Sequence, residues 1–367
     1  MKVCFLITDL AMGGAENQVV AVADNLAKRG QKIILAYILQ PALVVPQSKN
    51  IEIVWLGGYK SIWGITKAFI GFITLVKRTQ PDVVHSHMFH ANILARVSRI
   101  FTPIPRLVCT THSNNDGGWL RMLLYRTTHK FSDVFTNVSH EAVAAFENKR
   151  AAPKNTMLVT HNGIDTHKFR FDPKARIQQR QKLNLSDSKV FIAIGRFHFA
   201  KDYPNLFHAF AHVIKQHTHC KLLVVGDGEL RPEIEALLQQ LAIQDYVQLL
   251  GIRYDVPALL SASDIFVLSS AWEGFGLVVA EAMATERITV ATDCGGVAEV
   301  MGEKGFLVNP QNSQALADGM LKALSLNSKD AAQLGKEARQ RIIKKYSIHA
   351  VVDKWEEIYQ SEKKFVS

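Results

Sequence analysis

Two carboxylates flank a glycine loop in the stretch Ala271-Trp272-Glu273-Gly274-Phe275-Gly276-Leu277-Val278-Val279-Ala280-Glu281-Ala282-Met283-Ala284. Seven residues separate Glu273 from Glu281. Carboxylates repel anions but accept hydrogen bonds from hydroxyls, such as those of a sugar or a ribose. The loop between them, Gly274, Phe275 and Gly276, follows an apolar run at residues 264–268 that reads as a buried strand. An apolar helix opens at Leu277. Strand, glycine loop and helix together leave the unpaired N–H groups of the first helical turn, and the positive end of the helix dipole, over the sheet edge. A phosphate suits that position. Taken alone, Glu281 would be a solvent-facing helix residue and Glu273 a helix cap.

A second charged set lies in Gly195-Arg196-Phe197-His198-Phe199-Ala200-Lys201-Asp202. It follows a strand at 190–194 and precedes a helix opened by Pro204, a good first-turn residue. Arg196 and Lys201 on one such loop suit a diphosphate; as bare surface charges they would be solvated. Histidines form a third set. His85-Ser86-His87 ends a strand at 82–85, and His112 ends one at 106–111. Residues just past a strand's carboxyl end face the crevice where open α/β sheets bind ligands. A lone histidine is more often structural.

These loops need a frame, and the chain supplies a β/α alternation. Apolar runs at 2–8, 33–39 and 51–56 read as strands, and 62–76 as a helix. Residues 131–139 read as a strand, 141–147 as a short helix and 157–160 as the last strand of the first half. Gly13-Gly14 follows the first strand and opens a helix that stops at Gly30. It is a ligand-approach loop or a tight turn, and it lacks the G-x-G-x-x-G dinucleotide pattern. Residues 169–185 are polar and irregular enough for a linker. Strands at 221–225, 247–250 and 288–292 follow, with Gly226-Asp227-Gly228, Gly251-Ile252-Arg253 and Gly295-Gly296 after them. Residues 313–361 are helical throughout by period.

At 367 residues the chain is long enough for two domains, and 48% hydrophobic content gives each a core. Its four cysteines, Cys4, Cys109, Cys220 and Cys294, are scattered. That fits a reducing compartment, with neither a disulfide framework nor a zinc site. The N-terminal apolar run is too short for a secretory signal, and no run reaches the length that spans a bilayer. A cytoplasmic location is expected, at most peripheral on the inner face of a membrane. The formal charge of +10 sits in the first half: residues 1–170 hold 20 Lys+Arg and 10 Asp+Glu, leaving 23 of each for the rest. A basic half could face nucleic acid, an anionic membrane or a phosphorylated substrate. Residues 61–78, 92–106 and 119–131 are both basic and apolar. The first two read as ordinary amphipathic helices. The third is poised between that and an interfacial helix, because its apolar residues nearly surround it.

The Glu-x7-Glu string with its Gly-Phe-Gly loop resembles the signature of the retaining, nucleotide-sugar-dependent glycosyltransferases of family 4, in the glycogen-synthase-like superfamily. Gly195-Arg196 with Lys201, Asp-Val-Val-His-Ser-His at 82–87 and His161-Asn162-Gly163-Ile164-Asp165 are similar to other segments of that family, so the resemblance covers nearly the whole chain. It implies a GT-B fold: α/β, with two Rossmann-like doubly wound parallel-sheet domains facing a cleft. The expected domains are an acceptor-side domain at 1–168, a nucleotide-sugar domain at 169–345, and a C-terminal helix at 346–367 that returns to the first domain through Trp355 and Tyr359.

The resemblance also implies roles. Arg196 and Lys201 would hold the diphosphate, together with the backbone of Gly274, Phe275, Gly276 and Leu277. Glu273 would hold the sugar hydroxyls, Glu281 the ribose, and His87 the donor sugar. Gly13, Gly14, Gly226, Gly251 and Ile252 would line the donor site, and His112 and Asn162 the acceptor side. No Asp-x-Asp occurs, so the cations are expected to replace a metal and no cofactor is expected. Retention of configuration follows from the resemblance, with front-face displacement as its route. The donor is expected to be a UDP-sugar. The acceptor would be a glycan on a polyprenyl diphosphate or a lipopolysaccharide core, with the basic first domain against an anionic membrane. A nucleotide-sugar epimerase of the same fold would leave the Glu pair unexplained. A nucleic-acid-binding protein would need basic residues interleaved with stacking aromatics on one face, which the sequence lacks.

Overall fold

The computed structural model describes residues 1–11, 13–185 and 187–361. They form two compact α/β units, residues 1–163 joined by the C-terminal helix, and residues 164–347.

The first unit runs β1 (Lys2–Leu10), α1 (Gly14–Lys28), β2 (Lys32–Ala42), β3 (Ile51–Trp55), α2 (Ile62–Thr79), β4 (Val83–His87), α3 (Phe89–Ser98), β5 (Arg106–Thr110), α4 (Trp119–Thr128), β6 (Val134–Asn137), α5 (His140–Asn148) and β7 (Met157–Val159). Its seven strands are all parallel, in the order β3-β2-β1-β4-β5-β6-β7. Strand side chains alternate between faces. Val3, Phe5 and Ile7 join the core under α1, whereas Cys4 and Leu6 join the core under α2, α3, α4 and α5. Both faces are covered, which is why β1 reads as an unbroken apolar run rather than an alternating one. The order reverses between β1 and β4, so the loops after these two strands diverge and open a crevice at the carboxyl edge.

The second unit runs α6 (Pro173–Lys182), β8 (Lys189–Ile194), α7 (Tyr203–Gln216), β9 (Cys220–Val225), α8 (Arg231–Gln240), β10 (Val247–Leu249), α9 (Val256–Ala262), β11 (Ile265–Leu268), α10 (Leu277–Ala284), β12 (Ile288–Thr292), α11 (Val297–Met301), β13 (Phe306–Val308), α12 (Ser313–Ser325) and α13 (Ser328–Tyr346). Its parallel sheet has the order β10-β9-β8-β11-β12-β13. The reversal now falls between β8 and β11, the strands that carry the Arg196–Lys201 and Glu273 loops.

The last helix, α14 (Ile348–Gln360), belongs to the first unit. Its Ile348, Val351, Val352, Trp355, Ile358 and Tyr359 are buried with α1 in one core. Arg29 of α1 pairs with Asp353 at 2.6 Å and Glu356 at 2.7 Å.

Several sequence readings change. Residues 169–185 are not a bare linker, because they contain α6. Asp172 caps it by accepting from the N–H groups of Lys174 and Ala175, and Pro173 opens it. The helix buries none of its residues, so it has no apolar period to read. Arg176 and Arg180 hold it instead, through Asp264 and the carbonyls at the end of α9. Residues 131–139 hold only the short strand β6, preceded by a 3-10 turn at His129–Phe131. Residues 313–361 are three helices, broken at 326–327 and at 347. Strand β13, three residues that are all only partly buried, has no counterpart in the sequence reading.

The basic apolar helices also differ from one another. Residues 92–106 are ordinary core-packing structure; Arg96 is fully buried, its guanidinium 4.3 Å from the Phe135 ring centroid. On α4, Met122 and Tyr125 are buried while Trp119, 77% exposed, Leu120, Leu123 and Leu124 face outward. Helix α2 buries Phe72, Leu75 and Val76, yet it presents Ile62, Trp63, 74% exposed, Ile65 and Ile70. No described helix is long and apolar enough to cross a membrane. The four cysteines are buried and none forms a disulfide among the described residues.

Candidate functional site

In the second unit, five loops leave the carboxyl ends of β8 to β12 and interlock. Gly195 N–H donates to Val225 O, Phe197 N–H to Asp227 O, Gly226 N–H to Gly251 O, Ala271 N–H to Ala200 O, and Gly296 N–H to Gly274 O. Glycine permits this closeness. A Cβ at Gly226, whose φ is 146°, would lie 1.9 Å from Gly195 O. One at Gly295, φ 58°, would lie 1.9 Å from Glu273 O. The missing Cβ at Gly226 lets the β9 loop sit flush against the β8 loop.

The β8 and β11 loops bring Lys201 and Glu273 together. Lys201 Nζ donates to Glu273 Oε1 at 2.5 Å, and Ser270 Oγ donates to the same oxygen at 2.8 Å. Both charged side chains are mostly buried. Ser269 Oγ donates to Lys201 O and fixes that loop from behind. Glu273 Oε2 has no protein donor among the described residues, so the carboxylate can still accept from a ligand. Lys201 has three N–H groups and gives one to Glu273. Arg196 is exposed, with no ion-pair partner among the described residues. The two cations read as one clamp therefore sit differently, Lys201 held and Arg196 free to move.

Beside this pair, Gly276 caps α10 in the left-handed region at φ 83°. The first bonds to its carbonyl come from Val279 and Ala280, so the N–H groups of Leu277 and Val278 precede the intrahelical ladder. The Phe275 side chain does not face this edge. It is buried, its ring 5.6 Å from that of Tyr346. Gly251, at φ 65°, and the exposed Ile252 lie at the end of β10. Glu281 lies one helical turn into α10, partly buried and with no hydrogen-bond partner for its carboxyl among the described residues. Burial pushes that carboxyl up to about 8, with Lys168 pulling it back.

In the first unit, His87, His112 and Asn162 line one small pocket with Gln18, His85, Thr110, Thr160, His161 and Trp355. Gly13 and Gly14 begin α1 above β1, the helix that carries Gln18. His85 is locked on both sides, by Tyr359 Oη at 2.7 Å and Thr110 Oγ1 at 2.7 Å. His87 Nδ1 and His112 Nε2 share a hydrogen bond of 3.0 Å. Burial holds His87 well below the usual histidine range, helped by His85 and His112, and lowers His112 to about 4. Both rings are therefore neutral at pH 7. Met88, immediately after His87, has φ 72° and ψ 163°. That region is essentially restricted to glycine and costs about 1–3 kcal/mol for other residues. The turn that aims His87 is thus strained.

Sequence reading missed Gln18, Thr160, Ser269 and Ser270, and it singled out His85 only as part of the strand-ending His85-Ser86-His87. The two serines follow β11 directly, so strand-end position was an available signal. Gln18 had none.

The description "Glycosyltransferase Family 4" matches residues 12–168, and "Glycosyl transferases group 1" matches residues 175–341. An N-acetyl-alpha-D-glucosaminyl L-malate synthase of Bacillus anthracis is 31% identical over 62% of this chain; the match spans 59% of that protein's length. A UDP-Gal:alpha-D-GlcNAc-diphosphoundecaprenol alpha-1,3-galactosyltransferase of Escherichia coli is 25% identical over 80% of this chain and 79% of its own. An Anabaena protein solved in complex with UDP and glucose superposes with a TM-score of 0.83 at 20% identity, over 98% of this chain and 99% of that one. With two doubly wound parallel sheets and a family match on each unit, this chain belongs to the GT-B glycosyltransferases.

Proposed function

We propose that this chain transfers a sugar from a nucleotide diphosphate sugar, UDP-linked, to a hydroxyl of a lipid-linked or lipopolysaccharide glycan, without a metal and with retention at the anomeric carbon. The observation that carries the reading is the Lys201–Glu273 pair at the reversal point of the second sheet, next to the open N-terminus of α10. In the reaction the bond from sugar C1 to the diphosphate oxygen breaks. The acceptor hydroxyl oxygen bonds to C1, and its proton passes to the departing diphosphate. Negative charge grows on the leaving group. Lys201 and the amides at 274–278 supply fixed positive potential there, which is how preorganised sites lower such barriers, and Arg196 adds a charge that can swing in. Glu273, with Oε2 open, accepts from sugar hydroxyls, and Glu281 accepts from the ribose. His87 contacts the donor sugar.

The relatives support the substrate class. The Escherichia coli enzyme is named for a UDP-sugar donor and a diphosphoundecaprenol acceptor. The outward apolar residues of α2 and α4 support a peripheral contact with an anionic bilayer. Residues 56–79 and 117–131 contain no acid and carry Lys60, Lys67, Lys77, Arg78, Arg121, Arg126 and Lys130. Exposed Trp63 and Trp119 suit the headgroup layer.

The test is a donor panel. UDP-, GDP-, ADP- and CMP-sugars are each incubated with the protein and EDTA, with anionic vesicles carrying polyprenyl-diphosphate glycan, and free nucleotide is followed. Release from the UDP-sugar is expected, with the protein floating on the vesicles and the W63E/W119E variant remaining in the lower fractions. No release and no thermal shift with any donor would overturn the transferase reading; absence of flotation at low salt would overturn the membrane contact.

A further inference from the structure

The His87–His112 hydrogen bond constrains more than distance. A neutral imidazole carries one N–H and one lone pair. Two neutral rings joined through His87 Nδ1 and His112 Nε2 at 3.0 Å must share a single proton between those atoms. Two arrangements satisfy this. In one, His112 Nε2–H donates to His87 Nδ1, and His87 carries its proton on Nε2. In the other, His87 Nδ1–H donates, and His87 Nε2 is a bare lone pair. The first makes both rings Nε2–H tautomers, the form a histidine side chain prefers intrinsically. The second makes both rings the less favoured Nδ1–H form.

The atom left at the far end is informative. His87 Nε2 is buried and has no protein partner among the described residues, and the same holds for His112 Nδ1, Gln18 Nε2 and Thr160 Oγ1, all from residues that line the same pocket. Buried polar atoms left unpaired cost free energy unless a ligand or water meets them. His85 cannot rescue His87. Its ring lies 4.0 Å away, centroid to centroid, but both its nitrogens are engaged elsewhere.

We propose that His112 is a positioning residue that holds His87 as the neutral Nε2–H tautomer, so that His87 presents a hydrogen-bond donor to a hydroxyl oxygen of the sugar. The inference rests on the reading of His87 as a sugar contact. His112 does not touch the reacting atoms; it acts by deciding which nitrogen of His87 carries the proton, as partners of functional histidines do elsewhere.

The test separates the tautomer from its use. In protein labelled with 15N-histidine, long-range proton–nitrogen NMR reads each ring's tautomer, and the H87F variant identifies the His87 signals by their loss. The expected result is an unprotonated Nδ1 and a protonated Nε2 at His87. An Nδ1–H tautomer or a charged ring at pH 7 would overturn the proposal whatever the activity. Steady-state transfer then tests the use. H112F is expected to lose about 10–100-fold in kcat, the range typical of outer-shell partners, with little change in KM for the nucleotide sugar. H112Q, whose amide nitrogen can donate to Nδ1 from the same place, is expected to recover most of that loss, which also answers any concern over folding. H112F turning over at the wild-type rate while H87F is impaired would overturn the role of His112 and leave that of His87 intact. Wild-type rates in both variants would overturn the reading of His87 itself.

Discussion

Replacing Lys201 by alanine is expected to lower kcat for sugar transfer by about 10²–10³-fold, the range seen when one donor to a developing anion is removed. The surroundings of the ammonium set this magnitude. Lys201 is mostly buried, so its charge is poorly screened and its position is set by Glu273 and by the Ser269 bond to its carbonyl. The substitution therefore removes a preorganised cation and strips Glu273 of one of its two donors. K201R is expected to restore little, because the planar guanidinium cannot occupy an ammonium's place against one carboxylate oxygen. R196A should cost less, as Arg196 is exposed and unheld, and an exposed charge acts through high dielectric. Initial rates of nucleotide release for the three variants measure the ranking. Equal losses in K201A and R196A would contradict the assignment of Lys201 as the held cation.

Glu281→Gln is expected to act in opposite directions on stability and on binding. The folded protein holds this carboxyl at about 8, against about 4.3 in an unfolded chain. Between those values the folded state binds more protons than the unfolded state, so stability is fully present below about pH 4 and falls as pH rises towards 8. At pH 7 the accumulated cost is on the order of 3 kcal/mol. Glutamine keeps the shape and carries no charge. The variant should thus melt higher than wild type at pH 7.5 and the same as wild type near pH 4. The nucleotide sugar should bind it more weakly, by up to about tenfold, since the carboxyl is mostly protonated at pH 7 and the hydrogen bond weakened is a neutral one of about 0.5–1.5 kcal/mol. Melting temperature at the two pH values, and KM for the donor, check both halves. A variant less stable than wild type at pH 7.5 would show that the carboxyl is not strained by burial.

The fold was readable because doubly wound sheets write themselves as apolar runs followed by glycine loops and amphipathic helices. Residues 288–292 were read as a strand and are β12, and the charged loops were placed correctly at strand ends. What stayed unread lacks such a period. Helix α6 is held by Asp264 and backbone carbonyls instead of a buried face. The burial of Phe275 against Tyr346 joins residues far apart in sequence. The Lys201–Glu273 pair links two loops whose residues were each identified, but their contact depends on β8 and β11 being neighbours, and only the strand order reveals that. Gln18 reaches the pocket from a helix surface with no distinguishing neighbour. The outward face of α2 was hidden for a different reason: a single apolar segment serves both the core, through Phe72, and the surface, through Trp63.

The most direct measurement of the central claim is hydrogen–deuterium exchange by mass spectrometry on the whole protein, with and without saturating UDP. Slowed exchange is expected in peptides covering 195–201, 226–229 and 269–283, the loops that carry Lys201, Glu273 and the start of α10. Protection confined to the first unit, or no protection in these loops at a concentration where UDP raises the melting temperature, would contradict it.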